Sequence, residues 1–430
     1  MKAVTEYLRF IQNNKIQSLL FVLLVFLLPT QLGKHFWPNF AFINGLRIDY
    51  LSPTLYITDI VAILFIVSAT KKFFTSPTFV FFLLLLSLGI YLSVQPLSGW
   101  YSLLKLIEYV LLWNALLNFL KGKDFLRLLA FPLSFGIIFE SILAIWQYII
   151  QGSVGGFFYF FGERTFSAST PGIANASLYG QLILRPYGTF PHPNVLAAFL
   201  LFGCTLLFYK IFKEKNIFYK LFFIISFLLG STALFFSLSR ITIILWIFTI
   251  LYLLIINLKI KKNIRILIAG IITLVFTIGF FLISSHSFIR LENISLSDES
   301  VTQRIFLISR AWEMFKNSPL FGVGFANFLI NLSQTPSSSH VFLLQPVHNI
   351  FFLSLTETGV CCFFLSLLFF YKTIKRLVVL IKKSTKKEYF LLGFLFLSQF
   401  FILGQLDHYF LTLQQGQLLT VIIFAFCWSL

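Results

Sequence analysis

Twelve long apolar segments follow one another along this chain, and polar stretches separate them. Each is about as long as the ~20 helical residues that cross the ~30 Å hydrocarbon layer of a bilayer. Because 58% of the residues are apolar and only 11% are charged, the chain lacks the polar surface that a soluble protein of this length needs. The sequence therefore predicts an all-α integral membrane protein with about twelve transmembrane helices, residues 1–430 forming one polytopic domain. The predicted spans are residues 16–33, 52–70, 78–95, 100–120, 125–150, 193–212, 217–236, 241–258, 264–284, 349–371, 389–406 and 411–429.

The net charge of +18 reflects topology, because the basic residues are not spread evenly. With the N-terminus placed in the cytoplasm, most of the 33 Lys and Arg residues fall in the cytoplasmic loops, as the positive-inside rule requires. This distribution predicts that both termini are cytoplasmic and that the first span is a retained signal anchor. It favours contact with anionic membrane lipids and excludes nucleic acid as a partner.

Two of the predicted outer loops are long, residues 151–192 and 285–348, and the basic residues outside are mostly arginine. Arginine offers a planar fork of donors that suits phosphate better than lysine does. Irregular backbone carrying polar side chains at a membrane surface is typical of an enzyme that acts on a lipid-linked, charged substrate. We therefore expect the functional site on the outer face.

The first long loop ends in RPYGTFPHPN, residues 185–194. Its glycine and prolines forbid a regular helix and fix the backbone around Arg185. Arg185 is predicted to bind a substrate phosphate, although pairing with a lipid phosphate is a second possibility. His192 is a candidate substrate contact or a turn residue, and Asn194 is predicted to cap the next helix.

A short outer turn, SLSR at residues 237–240, places Arg240 at the start of a predicted helix. A cation opposes the helix dipole at that end, which indicates that an anion binds there. The alternative is an arginine that snorkels to the interface.

The second long loop is predicted to contain an amphipathic helix. Ser300 to Gln303 form a possible capping box, and Asn317-Ser-Pro319 ends the helix. Arg304 and Arg310 lie on different sides of its apolar stripe, so at most one of them is expected to face a site. Thr335 to His340 are predicted to form a mobile gate. The predicted stripe consists of Ile305, Ile308, Trp312 and Phe315.

His348 enters the next span from the outside, beside Asn349, which can orient it. Because arginines are expected at the same depth in the membrane, His348 is a candidate general base. The alternative is a structural histidine. Within the spans, Lys105 and Glu108 are predicted to form a structural ion pair. The cysteines lie in apolar segments as packing residues, and no metal-binding motif occurs, so no metal site is predicted.

These pieces together resemble the bacterial O-antigen ligase and O-antigen polymerase superfamily, in order and in topology. The resembling elements are residues 185–194, SLSR at 237–240, residues 304–315, SPLFGVGFANF at 318–328, PVHNIFFLSLTETG at 346–359 and DHYFLTLQQGQLL at 407–419.

The resemblance implies a GT-C-like helical fold that needs no metal or cofactor. It implies that Arg185 and Arg240 bind a diphosphate, that Arg304 is a further substrate contact and that His348 is the base. We then expect Arg185, Arg240 and His348 to come together near the outer membrane surface.

The predicted protein is thus an inverting glycosyltransferase of the bacterial cytoplasmic membrane. Its donor would be a polyprenyl-diphosphate-linked glycan, and its acceptor a glycan or a lipid-linked glycan. Ligase and polymerase share these elements, so both remain open. The alternative is a twelve-helix transporter or flippase of lipid-linked or anionic substrates, which would more naturally place charged groups near the bilayer midplane.

Overall fold

The computed structural model describes residues 15–69, 76–120, 125–178, 180–257, 299–334, 344–383 and 387–429. The predicted span 264–284 and the predicted gate at Thr335–His340 lie outside these residues. The described residues are mostly helical. The helices are α1 (Lys15–Phe26), α2 (Ile57–Ser68), α3 (Pro77–Tyr91), α4 (Pro96–Leu120), α5 (Phe125–Ile150), α6 (Pro193–Lys213), α7 (Ile217–Phe236), α8 (Arg240–Asn257), α9 (Glu299–Asn317), α10 (Phe328–Ser333), α11 (Ile350–Lys383), α12 (Lys387–Gly404), α13 (Tyr409–Thr412) and α14 (Gln414–Ser429).

Five of the described helices are long and apolar enough to cross a membrane: α4, residues Leu128–Ile150 of α5, α6, α7 and α11. Five shorter apolar helices accompany them. The all-α membrane class that the sequence predicts is therefore supported, while the number of twelve spans and the GT-C-like arrangement stay predictions.

Several predicted boundaries are wrong. The span expected from residue 52 begins as a helix only at Ile57, because Thr54–Tyr56 form a strand. The segment expected as one span over 411–429 is divided into α13 and α14. The capping box at Ser300 does not begin α9, since the helix already starts at Glu299, but the helix ends at Asn317 as predicted.

The buried face of α9 also differs from the predicted stripe. Leu307, Ala311 and Met314 are buried, whereas Ile305 and Trp312 are 52% and 47% exposed. Both sets recur at helical spacing, so periodicity alone cannot choose between them.

The chain divides into two compact units. The first consists of residues 1–32 and 122–295, the second of residues 33–121 and 296–430. In the first unit α6 is buried along nearly its whole length, and α5, α7 and α8 pack around it. Gly203 and Gly230 allow this close approach, since a Cβ on either would lie within 3 Å of the Ile137 side chain.

In the second unit α14 packs against α4, α11 and α12, and α11 packs against α3 and α9. The chain of α11 kinks at Gly359, whose φ of +65° favours glycine. A Cβ there would collide with the backbone at Leu320 and Phe321, so the kink admits the turn that follows α9.

Small antiparallel hairpins occupy two of the predicted outer loops. Strands β1 (Gly33–His35) and β4 (Thr54–Tyr56) enclose the hairpin of β2 (Phe42–Ile43) and β3 (Leu46–Arg47), and β5 (Asn175–Leu178) pairs with β6 (Gln181–Leu184). Asn44 and Gly45 connect β2 to β3 with φ values of +52° and +79°, the backbone of a tight Asn-Gly hairpin turn. Strand pairing therefore fixes the backbone of these short strands.

Candidate functional site

Arg185 follows β6 directly, and two hydrogen bonds fix its guanidinium. The Nε donates to the carbonyl of Ser237 at 2.8 Å, and a terminal nitrogen donates to Oδ1 of Asn194 at 2.7 Å. Ser237 opens the SLSR turn. The structure therefore places Arg185 in contact with the SLSR turn, whose last residue is Arg240.

The backbone that carries Arg185 is held by α5. Glu140, 1% exposed, accepts hydrogen bonds from the backbone N–H of Thr189 at 2.9 Å and from its hydroxyl at 2.7 Å. Gln147 lies two turns further along α5, where it accepts from the N–H groups of Tyr187 and Gly188 and donates to the Gly188 carbonyl. Both side chains lie on one face of α5, so this helix fixes the loop.

Gly188 is required by this arrangement. Its φ is +59°, and a Cβ would collide with the carboxylate of Glu140. Gln147 also donates to Glu163 at 2.8 Å, whose carboxylate accepts the N–H groups of Val154 and Gly155. The N–H groups of Val154 and Gly155 and the Gln147 amide are thus satisfied within the first unit, as burial requires.

The SLSR turn has a strained backbone. Leu238 adopts a φ of +52°, which is uncommon for a residue with a branched side chain. Ser237 donates to the Leu234 carbonyl at 2.6 Å, and Ser239 and Thr242 share a hydrogen bond of 2.9 Å. The turn places Arg240, which is half-buried, as the first residue of α8.

His192, and not Asn194, is the N-cap of α6. Its Nδ1 accepts the N–H of Asn194 at 3.1 Å, and Pro193 is the first helical residue. The side chain of Asn194 binds Arg185 instead. The predicted cap was therefore two residues too late, because Pro193 already has the fixed φ of a helix start.

Arg164 is a further arginine of this loop, to which sequence reasoning assigned no role. Its guanidinium donates to the Pro191 carbonyl at 2.7 Å and stacks over the ring of Tyr187 at 5.5 Å. Tyr187 is buried and accepts the N–H of Ala174 at 2.8 Å, and burial raises the pKa of its phenol. The hydrogen bond from Arg164 to the Pro191 carbonyl joins the first part of the loop to its C-terminal end.

His348 lies in the second unit, just before α11, and faces a carboxylate. Its Nδ1 is buried and lies 3.6 Å from Oδ1 of Asp407, slightly beyond hydrogen-bond distance. Its Nε2 lies 3.3 Å from Oε1 of Gln345, and the imidazole side chain is 21% exposed. The Asp407 carboxylate is an acceptor for a proton on Nδ1, and the Gln345 amide oxygen is an acceptor for a proton on Nε2, so the imidazole lies between two acceptors.

His408 completes this cluster. Its ring centroid lies 5.0 Å from that of His348, and its Nδ1 shares a hydrogen bond of 2.7 Å with Thr412. Burial lowers the pKa of His408 to about 4, and His348 adds to that effect while the Asp407 carboxylate opposes it. His408 is therefore neutral near pH 7. Sequence reasoning gave Asp407 and His408 no role.

Asn349 was expected to orient His348, but its side chain makes other bonds. Its Oδ1 accepts the N–H groups of Phe351 and Phe352 at the start of α11, and its Nδ2 donates to the carbonyl and Oε1 of Gln405. Since Gln405 lies two residues before Asp407, Asn349 ties the two segments of the cluster together.

The remaining predicted residues lie elsewhere in the second unit. Arg304 is exposed on α9, while Arg310 is paired with Glu313 at 2.7 Å. Lys105 and Glu108 form the predicted ion pair at 3.0 Å, and Asp59 joins it at 2.5 Å. The positions of Arg185 and Arg240 relative to His348 stay a prediction, because they belong to different units.

A metal ion has one candidate position among the described residues. His348, Asp407 and His408 each offer a donor atom, and these atoms lie within 4.8 Å of one another. Two imidazoles and a carboxylate suit zinc or another transition metal. A chelator experiment therefore belongs to any test of this site.

The fold and the polar clusters define the class: a multi-pass membrane protein whose titratable and arginine-bearing segments lie between apolar helices. Within the chain, residues 225–369 match the family model of the O-antigen ligase. The match confirms the predicted resemblance to the O-antigen ligase and polymerase superfamily. No curated protein matches the chain.

The match contains the SLSR turn, α9 and His348, about a third of the chain. Arg185, Glu140 and the Asp407–His408 pair lie outside it. The match supports an O-antigen ligase/polymerase-like membrane protein of cell-surface glycan biosynthesis. The sequence does contain a signal for Asp407 and His408. They are adjacent polar residues between two apolar segments, and His348 and Asn349 have the same kind of position.

Proposed function

We propose that this protein is an inverting glycosyltransferase that transfers or polymerises a polyprenyl-diphosphate-linked glycan at the outer face of the cytoplasmic membrane, without a metal. The observation that carries the proposal is the arrangement at His348, inside the region that matches the O-antigen ligase family. Its Nδ1 faces Asp407, and the ring is partly exposed. This is the arrangement of a general base held by a carboxylate.

The donor's diphosphate requires cations, and Arg185 and Arg240 supply them. The guanidinium of Arg185 is held in place by Ser237 and Asn194, so its charge has a fixed position for contact with a phosphate. Arg240 begins α8, where the helix dipole also favours an anion. These charges stabilise the diphosphate as it leaves, which is the part that a metal performs in other enzymes.

The acceptor hydroxyl requires a base, and His348 supplies it through Nε2. The hydroxyl oxygen forms a bond to the anomeric carbon, and the bond from that carbon to the diphosphate oxygen breaks. The hydroxyl proton moves to His348, and polyprenyl diphosphate leaves with its electron pair. Asp407 stabilises the resulting imidazolium. A single direct displacement inverts the anomeric carbon.

Purified protein with a polyprenyl-diphosphate-linked glycan and an acceptor glycan tests this proposal. His348→Ala should lower turnover by roughly 100-fold or more, the usual scale for a general base, while donor binding is kept. Asp407→Asn should lower turnover as well, because the amide cannot stabilise the imidazolium. Glu313→Gln, which changes an exposed carboxylate of the same unit, serves as the control and should leave turnover unchanged.

Chelation separates the mechanism from its metal-dependent alternative. EDTA should not change turnover; loss of activity that a divalent cation restores would assign His348, Asp407 and His408 to a metal site. A transporter is excluded if the detergent-solubilised protein forms the glycosidic bond without any membrane. The product then distinguishes polymerase from ligase, since a polymerase lengthens the lipid-linked glycan and a ligase moves it to another lipid.

A further inference from the structure

The loop between β1 and β4 is rigid and packs on the core of the second unit. Ile43, Ile48 and Leu51 are buried in a cluster that also contains Leu307 of α9 and Val347, the residue before His348. The hairpin turn at 44–45 and the short helix at Asp49–Leu51 leave little backbone freedom. The loop is therefore a fixed surface beside the segment that carries the candidate base.

The exposed residues of this loop adjoin the histidine cluster. Tyr50 is 39% exposed, and its ring packs edge-on against His408 with a centroid distance of 5.5 Å and an interplanar angle of 80°. His408 in turn packs against His348 at 5.0 Å. The candidate base and an exposed aromatic ring are thus separated by a single imidazole.

Two charged side chains accompany Tyr50. Arg47 and Asp49 are both exposed, and the guanidinium of Arg47 stacks over Trp37 at 5.3 Å, which restrains it. Ile48 and Leu51 are buried, so Asp49 and Tyr50 between them face outward, and Arg47 is exposed directly before Ile48. A phenol, a carboxylate and a guanidinium are therefore presented together within four residues.

This combination matches the chemistry of a pyranose ring. A sugar offers an apolar C–H face, which an aromatic ring covers, and a rim of hydroxyls, which carboxylate and guanidinium groups bind. Ligand sites generally combine aromatic area with a few fixed polar groups in this way. A lipid chain would need no such pair of opposite charges.

We propose that Arg47, Asp49 and Tyr50 form the acceptor subsite, with the acceptor sugar stacked on Tyr50 so that its hydroxyl reaches His348. The proposal rests on the proposed function, since it names the substrate that this histidine activates. Tyr50 here is a binding residue and takes no part in proton transfer.

Kinetics of three variants test the subsite. Tyr50→Ala should raise the KM for the acceptor about 3- to 10-fold, the worth of one aromatic contact, with little change in kcat or in the KM for the donor. Tyr50→Phe should restore the acceptor KM, because stacking needs the ring. Tyr159→Ala, which removes a 61% exposed tyrosine of the other unit, is the control and should change neither KM.

A binding measurement without donor keeps the two proposals distinguishable. The probe is the oligosaccharide pool that mild acid releases from the host's own membranes, titrated into purified full-length protein by calorimetry. Wild-type binding that Tyr50→Ala weakens supports the subsite even if no transfer is seen, which would defeat only the proposed function. If transfer occurs and Tyr50→Ala leaves the acceptor KM unchanged, as Tyr159→Ala does, Tyr50 is a membrane anchor and the subsite is overturned.

Discussion

The replacement Glu140→Leu should destabilise the protein and weaken donor binding, because one buried carboxylate positions the arginine loop. Both oxygens of Glu140 are engaged by Thr189, one by the backbone N–H and one by the hydroxyl. Thr189 is completely buried. Without Glu140, two polar groups remain in an apolar interior without partners.

The size of the effect follows from those two groups. A buried donor left unsatisfied costs about 1–3 kcal/mol, so two cost about 2–6 kcal/mol in the free energy of unfolding. Adding Thr189→Val to Glu140→Leu removes the hydroxyl and should recover about 1–3 kcal/mol. Glu140→Gln should be tolerated, because its carbonyl accepts the N–H while its amide donates to the hydroxyl, which can turn.

The measurement is equilibrium unfolding in mixed micelles, together with the KM for the donor. Glu140→Leu should raise that KM, since the loop holding Arg185 is released, and Glu140→Gln should leave it near the wild-type value. Glu313→Leu, on an exposed carboxylate, should change stability by no more than about 0.5 kcal/mol. The reasoning fails if Glu140→Gln is as damaging as Glu140→Leu, because the charge and not the hydrogen bonding would then matter.

Two further predictions concern the arginine turn and the buried histidine. Arg240→Lys should lose most transfer activity while keeping its fold, because an ammonium cannot form a bidentate phosphate contact. Lys215→Arg, at an exposed position between α6 and α7, is the control and should leave activity unchanged. Full activity of Arg240→Lys would mean that Arg240 only snorkels to the membrane interface. The pKa of His408 is about 4 in the folded protein and ~6.5 when unfolded, so only the unfolded state binds this proton between those values. The contribution of His408 to the free energy of unfolding is therefore fully present above pH ~6.5 and should fall by about 1.4 kcal/mol per pH unit as the pH approaches 4. His408→Asn should remove this pH dependence of the free energy of unfolding. An unchanged pH dependence in the variant would contradict the assignment.

The sequence predicts the features that depend on local composition. Apolar length predicts helices 125–150 and 217–236 with the bounds that the structure has. Spacing of i,i+3 predicts the pair of Lys105 and Glu108. These predictions succeed because a helix and its neighbouring side chains are determined within a few residues.

Other features depend on packing between distant segments. Asp407 lies far from His348 in sequence, so nothing local predicts that the two meet. Asp59 joins Lys105 for the same reason. Two local signals were nevertheless present: Asn44-Gly45 is a strong hairpin signal, and Glu140 and Gln147 share one face of a largely apolar helix.

The polar groups inside the helices also bear on the transporter alternative. Asp59 accepts hydrogen bonds from the N–H of Tyr56, from Lys105 and from Gln414, and Lys105 binds Glu108 as well. A transport site must exchange its ligand for water, so charges that bind one another so tightly suit a structural contact better. By contrast, Tyr50 is partly exposed, and so is His348, which faces the Asp407 carboxylate. Accessible side chains are the ones that can contact a substrate. Here Tyr50 and His348 lie in segments between the apolar helices and not within them, and this position favours a transferase over a transporter.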